Sequence, residues 1–525
     1  MSPNQRLIVA VLLSVIFFVG YTAIFPPVAS EVLQDTKVQT GQSSVGTVPS
    51  VNVEADAGRV IAAVETSSSN NLVTVTNEHF ILKIDTLGRI SSKELREEKF
   101  RDKEDNHAQL IPSKGTKPLY IRFMDENLNK EAASVAYTAS VNELNIDGNA
   151  KSVTLTQKLS ALTVSKKITF FDDGHYDIVI SMSEDKRYYV YLGQRPRVNE
   201  DEQMMTVVGA LVYTDDEIVT IIADGDAEGR KSFSGVELLS AFDQYTATIM
   251  YGLSKDRTII VERDTEDNPV VYFDGTQNIE FSGYIGQKNY KKLESINPIL
   301  TNAIEYGWFT FAAKPLFALL LWLYGIFGNW GWSIIALTAI IRFVLYPLTY
   351  KGMVSMQKMK DLAPKIKELK AKYKGEPQRL NQATMDMYKK NGANPLGGCL
   401  PMLMQIPVFF AIYRVLLNAV ELQGSEWILW VNDLSRMDPY YVMPVLMGAS
   451  MFLQQRMTPN NFSDPMQEKV MKWLPVIFTF FFVTFPAGLV LYWFVNNLFS
   501  ILQQFIVNQQ FKNAKDALKA AKVEK

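Results

Sequence analysis

The sequence predicts an α+β membrane protein. Six transmembrane helices, an N-terminal anchor plus a five-helix core, are joined to a large antiparallel β-sandwich domain that lies between the first span and the rest. Three observations predict this. An apolar run without a charge fills Leu7 to Phe25. From Leu72 to about Ser282, short runs such as "LVTVTNEHFILKI" and "YDIVISM" alternate apolar and polar residues, the period of strands with one buried face. After Asn297-Pro298 the chain turns to long apolar segments of membrane-spanning length. Charge divides at the same place. Residues 31–305 hold 29 Lys+Arg against 43 Asp+Glu, and residues 306–525 hold 23 against 12, although the 525-residue chain has a net charge of only −2. Blocks of opposite sign belong in different surroundings.

Residues 1–29 read as a signal anchor. A cleaved signal has an apolar core of about 7–15 residues and a small-residue cleavage site. This run is longer and no A-x-A site follows, so Arg6 holds an uncleaved N-terminus in the cytoplasm. Residues 30–70, with "QTGQSSVGTVPS" and "ETSSSNN", form a flexible linker. Residues 71–300 form the sandwich, with "DDGH" at 172–175 as one of its turns. Residues 301–328 make an amphipathic helix lying along the membrane surface. Residues 329–510 carry the five-helix core, with spans at about 330–350, 396–420, 440–456, 473–486 and 488–508, the last two turning at "FPAG". Residues 511–525 are a basic tail.

Positive charge sets the orientation. Residues 351–395 hold 11 Lys+Arg and four acids, and the tail holds five lysines. The 421–439 loop has Glu421, Glu426, Asp433 and Asp438 against Arg436. The 351–395 loop and both termini are therefore cytoplasmic, and residues 30–305 lie on the opposite side. Within 351–395, Met353, Met356, Met359, Leu362, Ile366, Leu369 and Tyr373 recur at helical spacing until Gly375 and Pro377 break the run. A two-helix hairpin follows. Its methionines suit varied apolar partners, and Lys365, Lys367 and Lys370 suit anionic lipid or ribosomal RNA.

Several chemistries are excluded or weak. One cysteine, Cys399, allows no intrachain disulfide, and the three histidines form no metal-ligand pattern, so neither metal nor cofactor is expected. "GDAEGRKS" at 225–232 is one residue short of a phosphate-binding loop. The spans hold no acid or His/Ser constellation for hydrolysis, which argues against an enzyme. They also show no inverted repeats of the kind common in transporters.

What the spans do hold is Arg342. It lies 12 residues after Trp330 and nine before Lys351, about 18 Å and 13 Å along a helix, too far from either end to snorkel easily. A central arginine costs about 2.5–3.5 kcal/mol on insertion scales, and no Asp or Glu lies in any span to pair with it. Thr338 shares its face one turn away. On the last span Trp493, Asn496, Ser500 and Gln503 form a polar stripe, and Gln405, Gln454 and Gln455 are further amides within reach of such a site. The expectation is a water-containing groove with one positive charge and several neutral polar groups, suited to short anionic or weakly polar peptide segments in transit.

"GNWGWSIIALTAIIRFVLYPLT", "NPLGGCLPMLMQIPVFFAIYRVL", "DPYYVMPVLMGASMFLQQRM" and "FPAGLVLYWFVNNL" together resemble the YidC family of bacterial membrane protein insertases over about 306–510. The β-rich region resembles the family's periplasmic domain more loosely, in position and character. The resemblance implies insertion and folding of integral proteins in the bacterial inner membrane, alone or with the Sec translocon, without covalent chemistry. It implies nascent membrane proteins, the Sec translocon, ribosomes, the signal recognition pathway and membrane lipids as partners. It also implies a substrate groove in which Arg342 matches the family's arginine and Thr338 a groove position. Where the family often carries a second tyrosine on the last span, this chain has Tyr492-Trp493, and an indole lacks the phenol hydroxyl.

Overall fold

The computed structural model describes residues 71–97, 99–100, 106–198, 206–392, 395–457 and 465–523. The anchor and linker expected over residues 1–70 lie outside them. Two compact units meet at the Glu305/Tyr306 boundary.

The first unit is built from sheets of nine, five and four strands in a sandwich-like arrangement. In the nine-stranded sheet, hairpins Lys151–Lys158/Thr163–Phe170 and Thr163–Phe170/His175–Met182 sit beside Asn278–Gln287 and the wholly buried strand Thr246–Tyr251. Alternation does the sorting: along His175–Met182 the side chains of Tyr176, Ile178, Ile180 and Met182 are buried and those between are half-exposed. The turn at "DDGH" closes through Gly174, whose φ of 90° suits glycine. The sandwich is not purely antiparallel, as the sequence suggested. Asn71–Thr76 pairs in parallel with Glu143–Asn145, a long-range partner that no local pattern announces. The near-miss phosphate loop runs from a strand into the strand Arg230–Phe233 rather than into a helix, so it lacks the helix N-terminus such a site requires. Two short helices, α1 (Glu126–Ser134) and α2 (Tyr290–Ile296), are capped by Asp125 and Asn289.

The core of this unit also buries charge. Asp85 and Arg89 form an ion pair at 2.7 Å with side chains 2% and 7% exposed. Lys166 is fully buried and its Nζ donates to the carbonyls of Gly88 and Leu119, both at 2.8 Å. Burial pushes its pKa down to about 7 and that of the buried Lys288 to about 8.

The second unit is helical. The segment expected as one surface helix over 301–328 is divided: the 3-10 turns of Pro298–Ala303 belong to the first unit, and in the second a single turn at Gly307–Phe309 precedes the helix proper, α3, Thr310–Phe327. Gly328 ends α3 in the left-handed conformation, and Asn329 caps the next helix by accepting from the Trp332 N–H. α4 spans Trp330–Lys372 without a break. The sequence separated a span ending near Tyr350 from a hairpin arm because composition changes there, but nothing at 351–352 interrupts the backbone hydrogen bonds. α4 also passes through Pro347 and Pro364. α5 (Pro377–Lys390) returns beside it, followed by α6 (Pro395–Asn418), α7 (Val442–Met457), α8 (Pro465–Phe482) and α9 (Ala487–Val523). Among the described residues three helical stretches are long and apolar enough to cross a membrane: Thr310–Phe327, Trp330–Lys372 and Ala487–Asn513.

Candidate functional site

Arg342 projects from the N-terminal third of α4 toward α9. Its Nε donates to Asn496 Oδ1 at 2.8 Å and its Nη2 to the Asn496 carbonyl at 3.2 Å. That carbonyl also accepts from Ser500 Oγ at 3.0 Å, one turn further along α9. Asn496 and Ser500 are buried, whereas Arg342 is half-buried. A guanidinium carries five N–H donors, so two bonds to one asparagine leave it far from saturated. Among the described residues no carboxylate forms an ion pair with it. Two neighbours of Arg342 on α4, Phe343 and Val344, are 82% and 66% exposed, as expected of side chains facing lipid.

The other predicted groove residues fall into separate contacts. Gln405 on α6 donates to the Tyr492 hydroxyl at 3.3 Å. Thr338 is 1% exposed and its hydroxyl is spent on the Ile334 carbonyl of its own helix at 2.7 Å. Gln503 donates to Thr349 Oγ1 at 2.6 Å and binds α9 to α4. Gln455 bonds the Met471 carbonyl, joining α7 to α8. Trp493 sits in an aromatic cluster, 4.7 Å edge-on to Phe409 and 5.3 Å from Phe482. The polar stripe on α9 is therefore divided: Asn496 holds the arginine, Ser500 bonds the Asn496 carbonyl of its own helix, Gln503 stitches helices, and Trp493 packs.

Beyond Tyr350 on α4, Lys365, Lys367 and Lys370 are exposed, while Met353 is buried and Met356 and Met359 are half-buried. The methionine row mostly faces the helix's own neighbours, and Met385 on α5, 45% exposed, is a residue the periodicity did not single out. Sequence reasoning also missed Asn497, which donates to Ser450 Oγ at 3.0 Å and fixes α9 to α7. Its signal was weak: an amide next to Asn496 lies about 100° around the helix, off the stripe.

Comparison with known proteins places the chain in a family. The family described as YidC periplasmic domain matches residues 72–319, and the family described as 60Kd inner membrane protein matches residues 322–515. A membrane protein insertase YidC of Wolinella succinogenes is 45% identical, covering 99% of this chain and 97% of its own length. The chain belongs to the YidC family of membrane protein insertases. A relative from Campylobacter jejuni is 44% identical over 97% of this chain and 96% of its own. A crystal structure of an active YidC insertase with its first transmembrane domain resolved covers 82% of this chain at 18% identity, with a TM-score of 0.36. Membership makes the chain an inner-membrane insertase-family protein rather than an enzyme.

Proposed function

We propose that this chain inserts membrane proteins into the bacterial inner membrane through a groove in its helical unit, with Arg342 as the transient resting point for hydrophilic cargo. The supporting observation is the arginine's half-satisfied state. Asn496 holds one side of the guanidinium, and among the described residues no carboxylate neutralises it. A charge so placed gains when an acidic or polar segment of a passing chain comes beside it, because Coulomb attraction is several times stronger there than in water. Gln405 and Tyr492, bonded to each other, add neutral donors and acceptors to the proposed groove. Trp493 offers its ring to apolar cargo in place of a phenol. Thr338 shapes the helix beneath and does not contact cargo, since its hydroxyl is already bonded. Asn496 and Ser500 position the arginine.

The driving force needs no nucleotide. A leucine-like span of about 20 residues gains roughly 6–12 kcal/mol on entering lipid, which offsets only a few translocated charges at about 3 kcal/mol each. The membrane potential adds about 2.3 kcal/mol per charge per 100 mV for acidic groups moving outward. The protein lowers the barrier between these states. In this reading the exposed lysines 365, 367 and 370 meet ribosomes, the signal recognition pathway or anionic lipid. Residues 30–305 are periplasmic, both termini are cytoplasmic, all six spans cross, and the chain also works beside the Sec translocon.

The test is insertion of a single-span protein with a short acidic tail in cells whose only copy carries Arg342→Ala. The expected loss is about tenfold or more, the effect of forfeiting a charge-assisted contact of about 1.5–3 kcal/mol. Arg342→Lys is expected to retain part of the activity. Undiminished insertion with Arg342→Ala would remove the groove arginine from the mechanism.

A further inference from the structure

At the end of the helical unit where α3 turns into α4 and α6 leads toward α7, a loop carries "EWILWVN", Glu426 to Asn432. Its tip is a tight turn. The Val431 N–H donates to the Ile428 carbonyl at 3.1 Å, and the Trp427 N–H donates to the Val431 carbonyl at 2.9 Å. Leu429 is the first central residue of that turn and has φ of 56°, while Trp430 keeps a negative φ. Positive φ at that position is a left-handed conformation that glycine and asparagine take more readily than leucine. The sequence places a leucine there, in a conformation that costs an L-residue stability, and leaves its side chain 80% exposed. Ile428 beside it is 38% exposed, and residues 427–432 carry no charge.

The tip is held firmly. Trp427 lies against Gly331 in the first turn of α4, where a Cβ would come within 2.1 Å of the indole. Asn329 Nδ2 donates to the Glu426 carbonyl at 3.1 Å, and Trp332 meets Trp427 edge-on at 6.0 Å. Further along the loop, the Leu434 and Arg436 carbonyls accept from the Gly488 and Ala487 N–H groups that open α9, and buried Asp438 accepts from the Met443 N–H at the start of α7. A rigid base thus presents a strained apolar tip. The neighbouring surface is apolar as well: Trp322, Ile326 and Phe327 on α3 are 60%, 58% and 50% exposed, and Trp332 is 47% exposed.

We propose that the 427–431 turn is a membrane-interface anchor, with Leu429 and Ile428 seated among the glycerol and upper acyl groups of the phospholipid leaflet at that end of the bundle. Two arguments choose lipid over a protein partner. The tip continues the exposed apolar surface of α3 and α4, and it sits where a spanning helix leaves the bilayer, the level that tryptophan and tyrosine favour. Tyr440 and Tyr441, 68% and 46% exposed at the other end of the same loop, fit that belt. This role is separate from the Arg342 groove and holds or fails independently of it.

The test uses the full chain with Cys399→Ser and Leu429→Cys, labelled with an environment-sensitive fluorophore and reconstituted into phosphatidylcholine/phosphatidylglycerol vesicles. Expected are a blue-shifted emission, stronger quenching by shallow than by deep spin-labelled lipids, and iodide quenching at least threefold weaker than at an exposed control, Glu228→Cys. Iodide access equal to the control overturns the proposal. So does shielding from iodide without quenching by spin-labelled lipid, which would mean that protein covers the tip. A second measurement needs no label. Asparagine tolerates the left-handed region better than leucine, so Leu429→Asn raises the melting temperature in lipid nanodiscs if the tip stands in water. An unchanged or lowered melting temperature is expected, and a rise of a few degrees overturns the anchor.

Discussion

The two units of this chain solve the burial of polar groups in opposite ways. The β unit buries full charges and answers them locally: Asp85 is matched by Arg89, and Lys166 by two backbone carbonyls. The helical unit joins its helices with neutral amide–hydroxyl bonds, Gln503 to Thr349 and Asn497 to Ser450, and among the described residues no counter-charge pairs with its Arg342 guanidinium. Their surfaces differ in the same sense. Of the large apolar side chains exposed among the described residues, four belong to the β unit and 28 to the helical unit. On the function proposed above, the difference is that Lys166 is fully buried with its carbonyl partners, whereas Arg342 is half-buried with donors to spare. Water can solvate the rim of the β unit, so its interior charges must be matched to fold at all. Lipid cannot, and the proposed groove supplies water or cargo to the guanidinium instead.

The sharpest way to break this comparison is to unmatch a charge in the β unit. Arg89→Met leaves the Asp85 carboxylate buried without its ion pair. The expected cost is about 3–5 kcal/mol, the range for removing one partner of a buried pair. Denaturant unfolding of the full chain in detergent, followed by proteolysis of the β unit, measures it. Replacing both Asp85 and Arg89 with apolar residues should cost less than the single change. Arg342→Ala is the contrasting case: the same loss of a guanidinium should reduce insertion strongly while moving the melting temperature little. If Arg342→Ala destabilised the chain as much as Arg89→Met, the arginine would be architecture too.

A smaller effect comes from pH. Burial lowers the Lys166 and Lys288 pKa values to about 7 and about 8, against about 10.5 in the unfolded chain. Between these limits the unfolded state binds more protons than the folded state, so stability must rise with pH. Each lysine contributes a slope of about 1.4 kcal/mol per pH unit inside its window. The gain begins near pH 7 for Lys166 and near pH 8 for Lys288, and both gains end near pH 10.5. Below pH 7 both lysines are charged in either state and add no slope. Unfolding midpoints between pH 7 and 9.5 check this, and a Lys166→Met variant should lose the part of the slope that starts near pH 7.

How much of this was legible in the sequence follows from the range of the interactions. Alternation read the sandwich because a strand's buried face is written in its own residues, as in His175–Met182. The parallel pairing of Asn71–Thr76 with Glu143–Asn145 was not legible, since its partner is a three-residue strand some seventy positions away. Arg342 stood out because charge inside an apolar run is locally visible. Its partner, 154 residues distant, was recognisable as part of a polar stripe but not as the residue that would hold it. Gln455 and Gln503 illustrate the ambiguity of amides, which look alike in sequence whether they line a groove or tie two helices together. The continuity of α4 past Tyr350 was hidden for the reverse reason: charge composition changes where backbone geometry does not.

The finest discrimination between glue and site lies in two adjacent asparagines. Asn496 and Asn497 are both buried on α9, yet the first faces Arg342 and the second faces Ser450 on α7. Removing an interhelical hydrogen bond in a membrane bundle costs about 0.6 kcal/mol on average. Asn497→Ala should therefore lower the melting temperature slightly and leave insertion of an acidic-tailed client unchanged. Asn496→Ala removes a bond of the same kind to a charged donor, worth about 1.5–3 kcal/mol, and frees the guanidinium to swing away. Its insertion defect should follow that of Arg342→Ala, and in the double variant the two losses should not add, because both act through one contact. Additive losses would mean that Asn496 contributes on its own account, and an insertion defect in Asn497→Ala as large as that in Asn496→Ala would erase the distinction between the two faces of α9.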